Sequence, residues 1–180
     1  MSFAPTLTRN PVAFSVPSTF NMHDRPNGWL LAFLVLPWLT PYTAGPTPNV
    51  WPLLLSALCA AVVWFYRRQL NVRLLIVGWL LAAAVSALIA LVQYFGLAQA
   101  LSPWISQTRP GEAFANLRQR NQFATLTSIG LIALISWLAL RLKESHIEGW
   151  RVPGWAYPLA LLLALGNAAD SSRTGLLQGG

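Results

Sequence analysis

The chain has 180 residues, of which 55% are hydrophobic and only 9% charged, with nine Trp and a formal charge of +7. A soluble domain of this size carries roughly a quarter charged residues, because all of its surface meets water, so a soluble globular fold is excluded. Nucleic-acid binding is excluded as well: the basic residues lie in short gaps between apolar runs rather than on one water-facing patch.

Residues 1–27 mix polar residues with Pro5, Pro11, Pro17 and Pro26 and lack the order of a cleavable signal peptide. They read as a disordered cytoplasmic tail. From there the chain predicts an all-α, polytopic membrane bundle of about five transmembrane helices. The spans are expected near 28–42, 50–66, 74–97, 122–140 and 154–170. The first is short, with Pro37 and Pro41 near its far end, and Pro52 falls in the first turn of the second, where a missing amide hydrogen costs nothing. The fifth is the weakest and needs thin bilayer or continuation through Asn167 to cross.

Orientation follows from the Lys and Arg in the gaps, since cytoplasmic loops are enriched in them. Arg9 and Arg25, then Arg67, Arg68 and Arg73, then Arg141, Lys143 and Arg151 all become cytoplasmic if the amino terminus is inside. Arg109, Arg118 and Arg120 in the loop 98–121, and Arg173 after the fifth span, are then periplasmic against the trend. Charges kept on the disfavoured side point to a ligand or an ion pair, the alternative being lipid headgroups.

The densest polar cluster is Asn116-Leu117-Arg118-Gln119-Arg120-Asn121-Gln122, running into the fourth span. Arg118, Asn121, Thr125 and Ser128 recur at helical spacing and are expected to share a face pointing into the bundle. A helix start offers free amide hydrogens and the positive end of a dipole, and arginine forks pair with phosphate oxygens. Arg118, Arg120, Arg173, Asn116, Asn121 and Gln122 are therefore the candidate residues for a diphosphate. For Asp170, pairing with Arg173 three residues on as a cap is at least as ready a reading as ligand contact. Cys59 reads as a small buried apolar residue, and no metal site or cofactor is expected.

At two stretches the chain resembles the bacterial O-antigen ligases and their relatives, the protein O-oligosaccharyltransferases that glycosylate pilins and other exported proteins. In that family a loop of the form Gly-x-x-x-Asn-Leu-x-Gln-x-Asn-x-x-Ala leads into a membrane helix, as Phe114 to Ala124 does here. A Ser-Arg-Thr-Gly element then opens the ligase-type domain, matched by Ser172-Arg173-Thr174-Gly175. The resemblance implies an inner-membrane glycosyltransferase, inverting and metal-independent. Its donor is a glycan on undecaprenyl pyrophosphate, and its acceptor a hydroxyl of a periplasmic, pilin-like protein or of lipid A core. It also implies that periplasmic arginines hold the pyrophosphate while a histidine of a later periplasmic loop activates the acceptor. The two histidines here, His23 and His146, fall on the cytoplasmic side, so the catalytic residue is unassigned. The ligase-type domain begins near residue 165 and is cut off at Gly180, which reads as the amino-terminal portion of such an enzyme. An O-antigen polymerase and a non-catalytic accessory or carrier membrane protein are the other two readings.

Overall fold

The computed structural model describes residues 28–41, 50–117, 119–145 and 152–176, and the side chains at 144–145 and 170–176 are outside the description. The tail 1–27, His23, Arg118, His146 and Arg151 lie outside the described residues. Those described form five helices and no strand: α1 (Trp29–Leu39), α2 (Val50–Phe65), α3 (Val72–Tyr94), α4 (Arg120–Ser145) and α5 (Ala156–Leu176), with short 3-10 turns at Arg67–Gln69 and Leu97–Leu101.

Helix ends have local causes. Asn71 caps α3, its side chain accepting from the Leu74 amide at 2.7 Å. At the other end α3 stops at Tyr94, before the expected 97, because Gly96 takes a left-handed φ of 75° and its amide donates back to the Gln93 carbonyl at 2.9 Å. Pro52 and Pro158 both sit in first turns, where amides have no helical acceptor. Pro37 lies inside α1, and the Thr40 hydroxyl donates to the Pro37 carbonyl at 3.2 Å beside the helix end.

Two helices are long and apolar enough to cross a bilayer, Val72–Tyr94 with 23 residues and Arg120–Lys143 with 24. At 1.5 Å per residue they reach about 35 Å, past a hydrocarbon core of about 30 Å. The apolar helices Trp29–Leu39, Val50–Phe65 and Ala156–Ala169 are shorter, so the expectation of five spans is met by length in two of them.

α3 is the hub, packing against α1, α4 and α5. The close approach comes from small residues: Ala83, Ala87 and Ala90 are fully buried, and Gly130 of α4 and Gly166 of α5 sit against Ala83 and Ala87. A methyl group on either glycine would come closer than 3.0 Å to the facing alanine Cβ. Small residues that let backbones approach are the usual means by which apolar helices associate in lipid, where burying apolar surface gains little. Phe123, Leu126 and Leu163 fill the layers between. Large apolar side chains face outward on every side, including Trp51, Leu53, Leu58, Ile132, Ile135 and Leu161. Such a surface suits lipid rather than water.

Aromatic and basic side chains pair at one end of the bundle. Trp29 meets Tyr66 with ring centroids 4.9 Å apart, the Arg67 guanidinium lies 4.6 Å from the Trp64 ring, and Arg141 lies 4.8 Å from Trp137, which stacks edge-on against Trp155. These clusters gather at the α1, α3 and α5 starts and the α2 and α4 ends. Arg109 and Arg120 belong to the opposite end.

Candidate functional site at the start of the fourth helix

Between α3 and α4 the chain folds into a tightly tied loop. Gln93, the last polar residue of α3 and fully buried, donates through Nε2 to the carbonyls of Ser106 (2.9 Å) and Ala115 (2.7 Å) and accepts from the Phe114 amide at 3.1 Å. Asn116 is also buried. Its Nδ2 donates to the carbonyls of Leu39 (2.6 Å) and Trp104 (2.9 Å), and its Oδ1 accepts from the Ser106 amide at 2.9 Å. Two amide side chains thus clamp one loop onto the ends of α3 and α1. A buried amide of this kind, fully matched, fixes one backbone arrangement. Ala115 is held at a φ of 56°, a left-handed conformation that the Gln93 bond to its carbonyl helps to hold.

Asn116, expected to touch a ligand, is committed to this clamp: both N–H bonds of its amide are used inside the protein. Its place is beneath the site, where it sets the level at which the chain enters α4.

Arg120 opens α4 and is 41% exposed, its guanidinium 3.5 Å from the Glu112 carboxylate. Asn121 and Gln122 follow it, both exposed, and line a groove of about 500 Å³ with Trp38 and Pro37 of α1, Ser56 of α2, and Leu117, Thr125, Leu126 and Ile129. The groove is largely apolar, with polar groups at the α4 start. Beyond Pro37, Trp38 and Ser56 a second cavity of about 270 Å³ continues between α1, α2 and α3, lined by Phe33, Cys59, Val63 and Trp79 among others.

The expected inward polar face of α4 is met only in that Asn121 and Thr125 line the groove toward α1 and α2; the packed face of the helix is a different one. Asn121, Thr125 and Ser128 are exposed, whereas the helix turns Phe123, Leu126, Thr127 and Gly130 toward α3 and α5. The close fit of Gly130 on Ala83 decides the rotation. Thr125 and Ser128 satisfy their hydroxyls within the helix, donating to the carbonyls of Asn121 and Ala124 at 2.8 Å each, so they need no inward partner.

Arg173 lies on α5. Gly166 faces Phe123 and Ala87 while Leu163 faces Gly130, so α4 and α5 run antiparallel. Seven residues beyond Gly166, about 10 Å of helix, bring the Arg173 backbone to the end of the bundle where α4 begins. Arg120, Asn121 and Gln122 are therefore together, with the Arg173 position at their level and Asn116 below.

Sequence reasoning passed over Gln93 and Glu112. Gln93 was detectable as a lone amide in an otherwise apolar span, a group that needs partners. Glu112 was detectable as the one acid in an arginine-bearing loop.

The site thus has the form of an arginine-bearing helix start, set by a clamped loop, beside an apolar groove in a helical bundle two of whose helices are long and apolar enough to cross a membrane. Residues 113–139, which take in the end of that loop and most of α4, match the family model of the protein glycosylation ligases. The resemblance read from the sequence is supported over this stretch. No curated protein and no solved structure matches the chain.

Proposed function

We propose that this chain is a ligase-type membrane glycosyltransferase chain that binds a glycan linked to undecaprenyl pyrophosphate, for transfer to a hydroxyl of a periplasmic, pilin-like protein. The observation that carries this reading is a coincidence of place: the stretch matching the glycosylation ligases is the loop and helix that present Arg120, Asn121 and Gln122 beside the apolar groove. In this reading the first isoprene units of the polyprenyl chain lie along the groove between α1, α2 and α4, and Arg118, Arg120 and Arg173 take the diphosphate. In the reaction the acceptor hydroxyl gives its proton to a base outside the described residues as its oxygen attacks the anomeric carbon, the bond from that carbon to the phosphate oxygen breaks, and the diphosphate leaves with the electron pair. Arginine forks stabilise the charge that develops on it. Among the described residues Arg120, Asn121 and Gln122 stand on the donor side of this chemistry in this reading, and no histidine lies among them.

All five helices cross the inner membrane in this reading, α1 and α2 aided by local thinning, with the amino terminus in the cytoplasm. The aromatic and basic end of the bundle, with Arg67, Arg68, Arg73 and Arg141, is the cytoplasmic one, in keeping with the bias of positive charge.

Donor binding tests the proposal. The full chain in phosphatidylcholine nanodiscs should bind a polyprenyl diphosphate. Replacing Arg118, Arg120 or Arg173 by Ala should each weaken binding about tenfold, the scale of one charge-assisted pair. Lys should rescue partly, since a point charge cannot copy the fork. Unchanged binding in all three would reduce these residues to headgroup contacts and end the proposal.

A further inference from the structure

On the donor-site reading just given, the α4 start stands at the depth where a bilayer holds its own phosphates, and that creates a problem of selection. Anionic phospholipid headgroups offer single phosphodiester charges, not balanced by a choline cation, at high local concentration, and a bare guanidinium accepts such an oxyanion. Glu112 bears on this problem. Its backbone is fixed by a turn in which its amide donates to the Arg109 carbonyl at 2.9 Å and its carbonyl accepts from the Thr108 hydroxyl at 3.1 Å. Gly111, at a φ of 80°, ties the turn to α3 by donating to the Tyr94 carbonyl at 2.9 Å. The turn delivers the Glu112 carboxylate to 3.5 Å from the Arg120 guanidinium. The first arginine of α4 is already matched with a tethered monoanion.

We propose that Glu112 is a specificity-determining residue: any incoming anion must displace its carboxylate from Arg120, which admits a diphosphate and turns away single phosphodiesters. A headgroup phosphodiester exchanges one negative charge for one and competes with a group held at high effective concentration by its own chain. A diphosphate diester brings two charges, so after displacing the carboxylate it still adds one to the arginine-rich helix start. Selectivity here is built from repulsion of the wrong ligand as well as attraction of the right one. The Arg120 side chain is 41% exposed and Glu112 23%, so the pair is a partly solvated one and the filter is about fivefold in size.

The experiment uses the full chain in nanodiscs of phosphatidylcholine alone and of phosphatidylcholine mixed in equal parts with phosphatidylglycerol, with geranylgeranyl diphosphate as the probe. The parent should bind the probe with the same affinity in both discs. Glu112→Gln, which keeps the shape and removes the charge, should bind about fivefold tighter in the neutral disc and lose that gain in the anionic one. Glu112→Asp should keep the parent's indifference to phosphatidylglycerol, and the effect of Glu112→Gln should shrink when Arg120 is already Ala. Weaker binding by Glu112→Gln in the neutral disc, as a purely structural role requires, would overturn the inference. So would equal indifference to phosphatidylglycerol in parent and variant. If the Ala variants of Arg118, Arg120 and Arg173 all bind the probe like the parent, the donor site itself is misplaced. If Arg120→Ala loses binding while Glu112→Gln changes nothing, only the filter fails.

Discussion

Moving a single methyl group across the α3–α4 interface tests how this bundle is held together. Gly130→Ala places a Cβ closer than 3.0 Å to the Cβ of Ala83, and Ala83 is fully buried, so the two helices must separate. Overpacking of this kind costs about 1–3 kcal/mol, offset by about 1 kcal/mol from the better helix propensity of Ala, for a net loss of about 0–2 kcal/mol. Ala83→Gly alone loses about 1 kcal/mol of propensity and about 1 kcal/mol for the buried methyl, a loss of about 2 kcal/mol. Combining them returns the methyl to the same space from the other side, and both terms cancel. The double variant should therefore be about as stable as the parent, which means a coupling of about 2–4 kcal/mol between the sites. Thermal unfolding of the purified protein in detergent, followed by circular dichroism, reads all four corners of the cycle. A double variant as unstable as the sum of its singles would refute the packing of α3 on α4.

Gln93→Leu should release the loop 102–117, leaving two carbonyls and one amide without their partner at about 1–3 kcal/mol each, seen as faster proteolysis between Ser102 and Leu117. Asn116→Asp sets carboxylate oxygen against the Leu39 and Trp104 carbonyls in place of a donor, and hydrogen exchange at the Ser106 amide should accelerate accordingly. Thr125→Val and Ser128→Ala should change the unfolding midpoint little, within about 0.5 kcal/mol, because both positions are exposed and both hydroxyls bond only to their own helix; a large loss would restore the inward polar face. A reporter fused after Gln107 should read periplasmic and one after Ser145 cytoplasmic, and the reverse would remove Arg120 from the compartment of the acceptor.

The helical class was legible because long apolar runs and the scarcity of charge depend on the solvent around the protein and not on which residues meet. The cluster from Asn116 to Gln122 was legible for the same reason, being the densest polar text in an apolar chain. Its internal division was not. Asn116 and Asn121 have the same chemistry, and only the fold sends one under the loop to bond the Leu39 carbonyl and leaves the other open on the groove. Rotation of α4 was misread because Thr and Ser were taken as polar, whereas their hydroxyls are internally satisfied and the tighter constraint is the methyl-free Gly130. Glu112 acquires its meaning only through a turn that carries it to Arg120.

The bond from Asn116 to the Leu39 carbonyl joins residues 77 positions apart. Leu39 ends α1, where carbonyls have no acceptor role to play inside their own helix. During synthesis at about 5–20 residues per second, the ribosome reaches Asn116 about 4–15 seconds after Leu39. For that interval the end of α1 has only α2 and α3 to pack on as each emerges in turn, with its carbonyl left without the Asn116 amide. The arrival of one asparagine then closes the loop, seals α1 and sets the entry of α4 in a single event, so the order of translation is also the order in which the groove acquires its walls.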